Sequence, residues 1–119
     1  MTSAAGPVYV TTVLTLFVDL PDTPRRASSY DQAVARSLFE RGVPLHIVES
    51  ALLLGSLRRR NRPEGAPPLP PVRSLAYFSS VIDEVRQRPL PEQYHSYLRA
   101  KAGQLFRLGV QKTPFSNDR

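Results

Sequence analysis

Residues 38–60 read LFERGVPLHIVESALLLGSLRRR and residues 73–85 read RSLAYFSSVIDEV. Both carry helical spacing, and the interruptions in and between them divide the chain into separate helices. Gly42 can close a helix by taking the left-handed conformation, with Val43 folding back on Leu38 in a Schellman-type contact. The next helix begins near Pro44, whose fixed φ suits a first turn. It is apolar around most of its circumference: Leu45, Ile47, Val48, Ala51, Leu52, Leu54 and Leu57 leave a narrow polar stripe of His46, Glu49, Ser50 and Ser56. Such a helix is expected at the buried centre of a domain. Arg58, Arg59 and Arg60 complement the negative end of its macrodipole.

In residues 73–85, Ser74 suits an N-cap, and Leu75, Phe78, Val81, Ile82 and Val85 share one face opposite Ser79, Ser80, Asp83 and Gln87. This is the pattern of an amphipathic helix packed on a core, with Phe78 central and Tyr77 at the edge. Between the two segments, PEGAPPLPP (residues 63–71) cannot continue a helix and is expected to run extended as a stiff connector. Its PxxP register also matches ligands of SH3-type grooves, although connectors of this composition are far commoner.

Toward the N-terminus, Ser29 and Gln32 have the spacing of a capping box at the start of a helix that ends at Gly42. VYVTTVLTLFVDL (residues 8–20) has β-branched residues that suit a strand. Val10, Val13, Leu14 and Phe17 nevertheless recur at helical spacing, and we read it as a helix. Toward the C-terminus, Leu90 and Pro91 restart the chain as a helix in which Tyr94, Leu98, Leu105 and Leu108 recur, with Gly109 as its stop. The expectation is an all-α, compact bundle of about five helices with a proline-rich connector between the third and fourth. Helices two to four would form its nucleus, in one domain over residues 1–109, followed by a flexible basic tail over residues 110–119.

Composition supports one globular core: 41% of the 119 residues are hydrophobic, enough for a chain of this size to bury about two thirds of its surface. The absence of cysteine excludes disulfides, thiolate metal ligands and cysteine nucleophiles, and cytoplasm is the expected compartment. The longest apolar run, Val13 to Val18, is broken by Thr15 and falls short of the about 20 residues a bilayer requires. The first residues lack the basic start and cleavage pattern of a signal peptide. Net charge is +6, distributed as −1 over residues 1–57 and +7 over residues 58–119. That asymmetry favours a polyanionic partner, since clustered cations release counterions from a nucleic-acid backbone.

The residues that could carry chemistry are few. His46 and Glu49 lie three apart, but two ligands do not make a metal site. His95 reads as a surface residue. Asp83 and Glu84 are adjacent and on a helix point about 100° apart, so they form no converging acid–base pair. Phosphate-binding loops, nucleophile elbows and zinc-finger spacings are missing from the sequence. No catalytic residue, metal or cofactor is therefore expected, and the chain does not read as an enzyme.

The arginines are the strongest signal. Arg58, Arg59, Arg60 and Arg62 before the connector and Arg73 after it put five guanidinium groups around one loop. A phosphate backbone would neutralise them; the alternative is a helix end with a favourable dipole followed by a solvated loop. Arg99, Arg107 and Lys112 could extend the basic surface. Tyr94, Tyr97 and Phe106 beside them could stack on bases of a single strand, although packing on the core is the simpler expectation.

The block from Leu38 to Val85 resembles the DnaD-like domain of bacterial and phage proteins that help to initiate DNA replication. LFERGVPLHIVESAL looks like that family's helix, glycine turn and apolar helix ending in an alanine and an aliphatic residue, Ala51 and Leu52. AYFSSVIDEV looks like its closing helix, in which a tyrosine is followed by aliphatics four and five residues on, Tyr77, Val81 and Ile82. The resemblance implies helical structure, DNA binding, self-association and contact with replication or mobile-element machinery. It also implies DNA contact by the region after the tyrosine helix, here the basic stretch from Arg86 through Lys112.

Together these readings predict a non-catalytic DNA-binding accessory protein of replication initiation or of a mobile element, contacting single- or double-stranded DNA. Its backbone contacts would come from Arg58, Arg59, Arg60, Arg62 and Arg73, with Arg99, Arg107 and Lys112 secondary and little base specificity. The alternative is a protein–protein interaction module, a small helical adaptor or homodimer, whose basic half meets an acidic partner.

Overall fold

The computed structural model describes residues 5–109, with side chains described through residue 101 and at Gly103. It is all-helical among those residues. α1 spans Ala5–Val18, α2 Ser29–Glu40, α3 Leu45–Arg60, α4 Ser79–Gln87 and α5 Glu92–Gly109, with a 3₁₀ turn at Leu75–Phe78 leading into α4. Residues 61–74 between α3 and that turn contain neither helix nor strand. The sequence-expected tail over residues 110–119 lies outside the described residues.

α3 is the centre of the bundle, packed against α1, α4 and α5. α2 instead packs on α1 and on the 3₁₀ turn, so the expected nucleus of helices two to four gives way to one in which α1 belongs to the core. The reason lies in the phase of α1. Tyr9, Val13 and Phe17, four residues apart, form its buried stripe, while Val10 and Leu14 are only partly covered. Tyr9 also reaches across the bundle, its hydroxyl donating to the Val43 carbonyl at 2.7 Å. Burial raises the Tyr9 pKa, and the nearby charge of Arg41 opposes this.

The turn between α2 and α3 follows the sequence closely. Gly42 sits at φ +74°, the Val43 N–H donates to the Leu38 carbonyl at 3.0 Å, and the Gly42 N–H donates to Phe39 at 3.0 Å, which together make a Schellman motif. The start of α2 is displaced by one residue from expectation. Ser28, not Ser29, is the cap, and its box partner is Asp31 instead of Gln32. Asp31 is fully buried and accepts from the Ser28 N–H at 2.8 Å and, 44 residues away, from the Leu75 N–H at 2.9 Å. One carboxylate therefore caps α2 and ties it to the 3₁₀ turn. Burial pushes the Asp31 pKa up, but its hydrogen bonds to Ser28, Leu75 and Ser74 outweigh that and hold it below the ordinary value.

Ser74 does act as a cap, accepting from the Ala76 N–H at 3.0 Å, although for the 3₁₀ turn and not for α4 itself. Phe78, Ile82 and Val85 are buried while Tyr77 is 49% exposed, as the amphipathic pattern predicted. Phe78 approaches α3 at Gly55, where a Cβ would lie 2.7 Å from its Cδ1 atom.

Candidate nucleic-acid interface

Three consecutive arginines on a helix point in different directions, because successive side chains are about 100° apart. The end of α3 shows the result. Arg59 turns inward, its side chain only 9% exposed. It donates to the Tyr77 hydroxyl at 3.0 Å, to the Pro70 carbonyl at 2.9 Å and to Asp22 at 3.3 Å, and its guanidinium carbon lies 5.3 Å from the centre of the Tyr77 ring. Arg62 donates to the Pro67 carbonyl. These two arginines hold the proline-rich connector against α3 and the α1–α2 loop, helped by the Val72 N–H, which donates to the Asp22 carbonyl at 2.8 Å. Asp22 itself sits at φ +64°, a conformation that Asp adopts more readily than most residues.

Arg58 turns toward α4 and is bidentate on Glu84, at 2.9 and 2.7 Å. The hydrogen bond from Arg58 lowers the Glu84 pKa, and the same bond raises that of Arg58. Arg60 is exposed and forms no ion pair with a described residue. Arg73 is exposed at the far end of the connector, next to buried Val72.

On α5, Arg99 faces away from this cluster. It is bidentate on Glu49, at 3.0 and 3.1 Å, at a point where His95 shares a hydrogen bond with Ser50. His95 is thus part of the α3–α5 seam and not the surface residue expected. Ser50 and Ser56, read as part of the polar stripe of the third helix, are both buried. Ser50 has a hydrogen-bond partner from α5, and Ser56 lines a cleft with Pro21 and Asp22.

Serine, histidine and glutamate in one cluster invite comparison with a nucleophilic triad, with Nε2 of His95 3.6 Å from Glu49. Ser50, however, is buried in the middle of α3, where the neighbouring backbone N–H groups are committed to the helix and cannot form an oxyanion hole. The cluster works instead as a polar clasp between α3 and α5. Among the described residues there is also no group of three or more His, Asp or Glu that could hold a metal, and no helix long and apolar enough to cross a membrane.

What the fold does bring together is an open groove of about 760 Å³ between the end of α3 and the start of α5. Its lining includes Arg58, Arg60, Asn61, Tyr94, Tyr97 and Lys101. Tyr94 and Tyr97 are 39% and 53% exposed and stack on each other, ring centroids 5.6 Å apart and planes 18° from parallel. The expectation that they pack on the core is therefore corrected: Leu98, fully buried, fills the core position on this part of α5. Lys101 joins the groove without having been singled out from sequence, its signal being the four-residue spacing from Tyr97 on the same helix face. The side chains of Phe106 and Arg107 and all of Lys112 lie outside the described residues.

No protein-family model, curated protein or solved structure matches this chain.

Proposed function

We propose that this protein is a non-catalytic DNA-binding accessory factor that uses the groove between α3 and α5. The observation that carries the reading is the convergence of Arg58, Arg60 and Lys101 with two exposed tyrosines. Cations along a groove attract a phosphate backbone by counterion release, and the neighbouring aromatic faces suit bases. Arg59 and Arg62 are tied to the connector, and Arg99 does not line the groove. This narrows the proposed contact set to Arg60 and Lys101, with Arg58 joining them by exchanging its Glu84 pair for a phosphate. Arg73 stands as a peripheral contact on the connector.

A role in replication initiation or in a mobile element is proposed from the resemblance of Leu38–Val85 to the DnaD-like domain. Little sequence preference is expected, since contacts to phosphate carry no base information. The test is a binding titration of wild type against Arg60→Ser/Lys101→Ser at low salt. Both side chains are exposed, so the double variant should keep its fold and lose affinity for every DNA sequence alike. Unchanged affinity, or no binding by wild type, would replace this reading with that of a protein-interaction module.

A further inference from the structure

We propose, resting on the reading of this groove as a DNA-binding site, that its ligand is single-stranded and that the Tyr94–Tyr97 pair is the platform on which a base stacks. Two large aromatic rings one helical turn apart, nearly parallel and about half exposed, are not explained by the core, because Leu98 occupies that position. Nor are they tied down by their hydroxyls, for which no hydrogen bond to a described residue is found. They do lie in the same groove as Arg58, Arg60 and Lys101. Cations for the backbone together with an aromatic face for the base are the two elements of single-strand recognition.

The aromatic element decides between strand forms. In a duplex the base faces are covered by their neighbours, so the tyrosines would gain nothing from it beyond what the cations supply. A base of a single strand can extend the existing two-ring stack. Glu84 modulates the site: it holds Arg58 in a bidentate pair, and a phosphate entering the groove competes with that carboxylate for the same guanidinium.

The experiment titrates the full chain with a single-stranded thymine oligonucleotide of about twelve residues and with a hairpin duplex of matched charge. It follows oligonucleotide anisotropy and tyrosine emission; with no tryptophan in the chain, that emission is not masked. Wild type should prefer the single strand, with emission quenched on binding. Tyr94→Ala/Tyr97→Ala should weaken single-strand binding at least about tenfold and duplex binding far less, whereas Tyr94→Phe/Tyr97→Phe should bind as wild type. Glu84→Gln should tighten binding to both forms by freeing Arg58.

An unaltered thermal midpoint would show that the alanine variant is folded; if it is not, Tyr97→Ala, which changes the more exposed ring alone, replaces it. Equal affinity for the two strand forms, or single-strand binding untouched by the alanine changes, overturns the stacking proposal. The DNA-binding reading then stands if Arg60→Ser/Lys101→Ser still weakens binding. Absence of binding to either form overturns both.

Discussion

Arg59 donates a hydrogen bond to the hydroxyl of Tyr77 while its guanidinium lies 5.3 Å from the centre of that same ring. Together with its bonds to Pro70 and Asp22, this makes Arg59 a structural residue amid arginines that look alike in the sequence. Truncating it would leave the Pro70 carbonyl and the Asp22 carboxylate without their partner and release the connector. The acceptors are exposed and water replaces much of what they lose, so the three bonds together contribute less than the sum of buried charged ones. Arg59→Ser should cost on the order of 2 kcal/mol, whereas Arg60→Ser should fall within about 0.5 kcal/mol of wild type. Chemical denaturation of the two variants side by side checks this. Equal midpoints would mean that the connector is not held through Arg59.

The ring of Phe78 packs directly over Gly55 of α3. A methyl group at Gly55 would meet the buried ring at 2.7 and 2.8 Å, and the ring, fully enclosed, cannot step aside. Ordinarily Gly→Ala inside a helix stabilises by about 1 kcal/mol through propensity. Here overpacking, at about 1–3 kcal/mol, should reverse the sign, so that Gly55→Ala melts below wild type. Phe78→Ala should cost about 3–5 kcal/mol as a cavity. The double variant should be less destabilised than the sum of the two, because the cavity accommodates the added methyl. Strict additivity would place the two residues out of contact.

Much of this architecture can be read from the sequence, and the misreadings have physical causes. The Gly42 turn, the central α3 and the buried face through Phe78, Ile82 and Val85 follow from local conformational preference and periodicity alone. The start of α2 does not, because Ser28 and Ser29 are equally able caps. Asp31 reaching Leu75 across 44 residues of sequence favours the former. The partner of Ser50 in the polar stripe is not legible either, because nothing local reveals that His95 will meet it. The arginines read as one cluster because adjacency in sequence hides helical phase. Folded, Arg58, Arg59 and Arg60 have three different surroundings, and the groove is completed by Lys101 from 41 residues beyond Arg60.

Asp31 makes the fold sensitive to acid in a defined direction. Its pKa is lower in the folded state than its ordinary value, so it contributes stability that is fully present above the unfolded pKa of about 3.9. That contribution is lost as pH falls through the lower, folded value. Asp31→Asn keeps an acceptor for one N–H but presents an amide N–H to the other, leaving Ser28 or Leu75 without its charged acceptor. At neutral pH the variant should be less stable by about 3 kcal/mol. Below pH 4 the wild-type curve should descend toward that of the variant, since wild type then loses the same charge. Parallel curves across that range, measured by denaturant titration at each pH, would show that the carboxylate is not the group responsible.

The salt dependence of DNA binding provides a count of the contacts in the groove. Three phosphate contacts, from Arg58, Arg60 and Lys101, would make the logarithm of affinity fall against the logarithm of salt with a slope of about −2.1 for a single strand, at −0.7 per phosphate. Arg60→Ser/Lys101→Ser should flatten this to about −0.7, the value for one remaining contact. Arg99→Ser should leave the slope unchanged, because Arg99 is not among the residues that line the groove. Tyr94→Ala/Tyr97→Ala should lower the affinity at every salt concentration without altering the slope, since stacking releases no counterions. A slope that changes with Arg99 but not with Arg60 and Lys101 would move the binding surface to the Glu49 face of α5 and remove the groove from the mechanism.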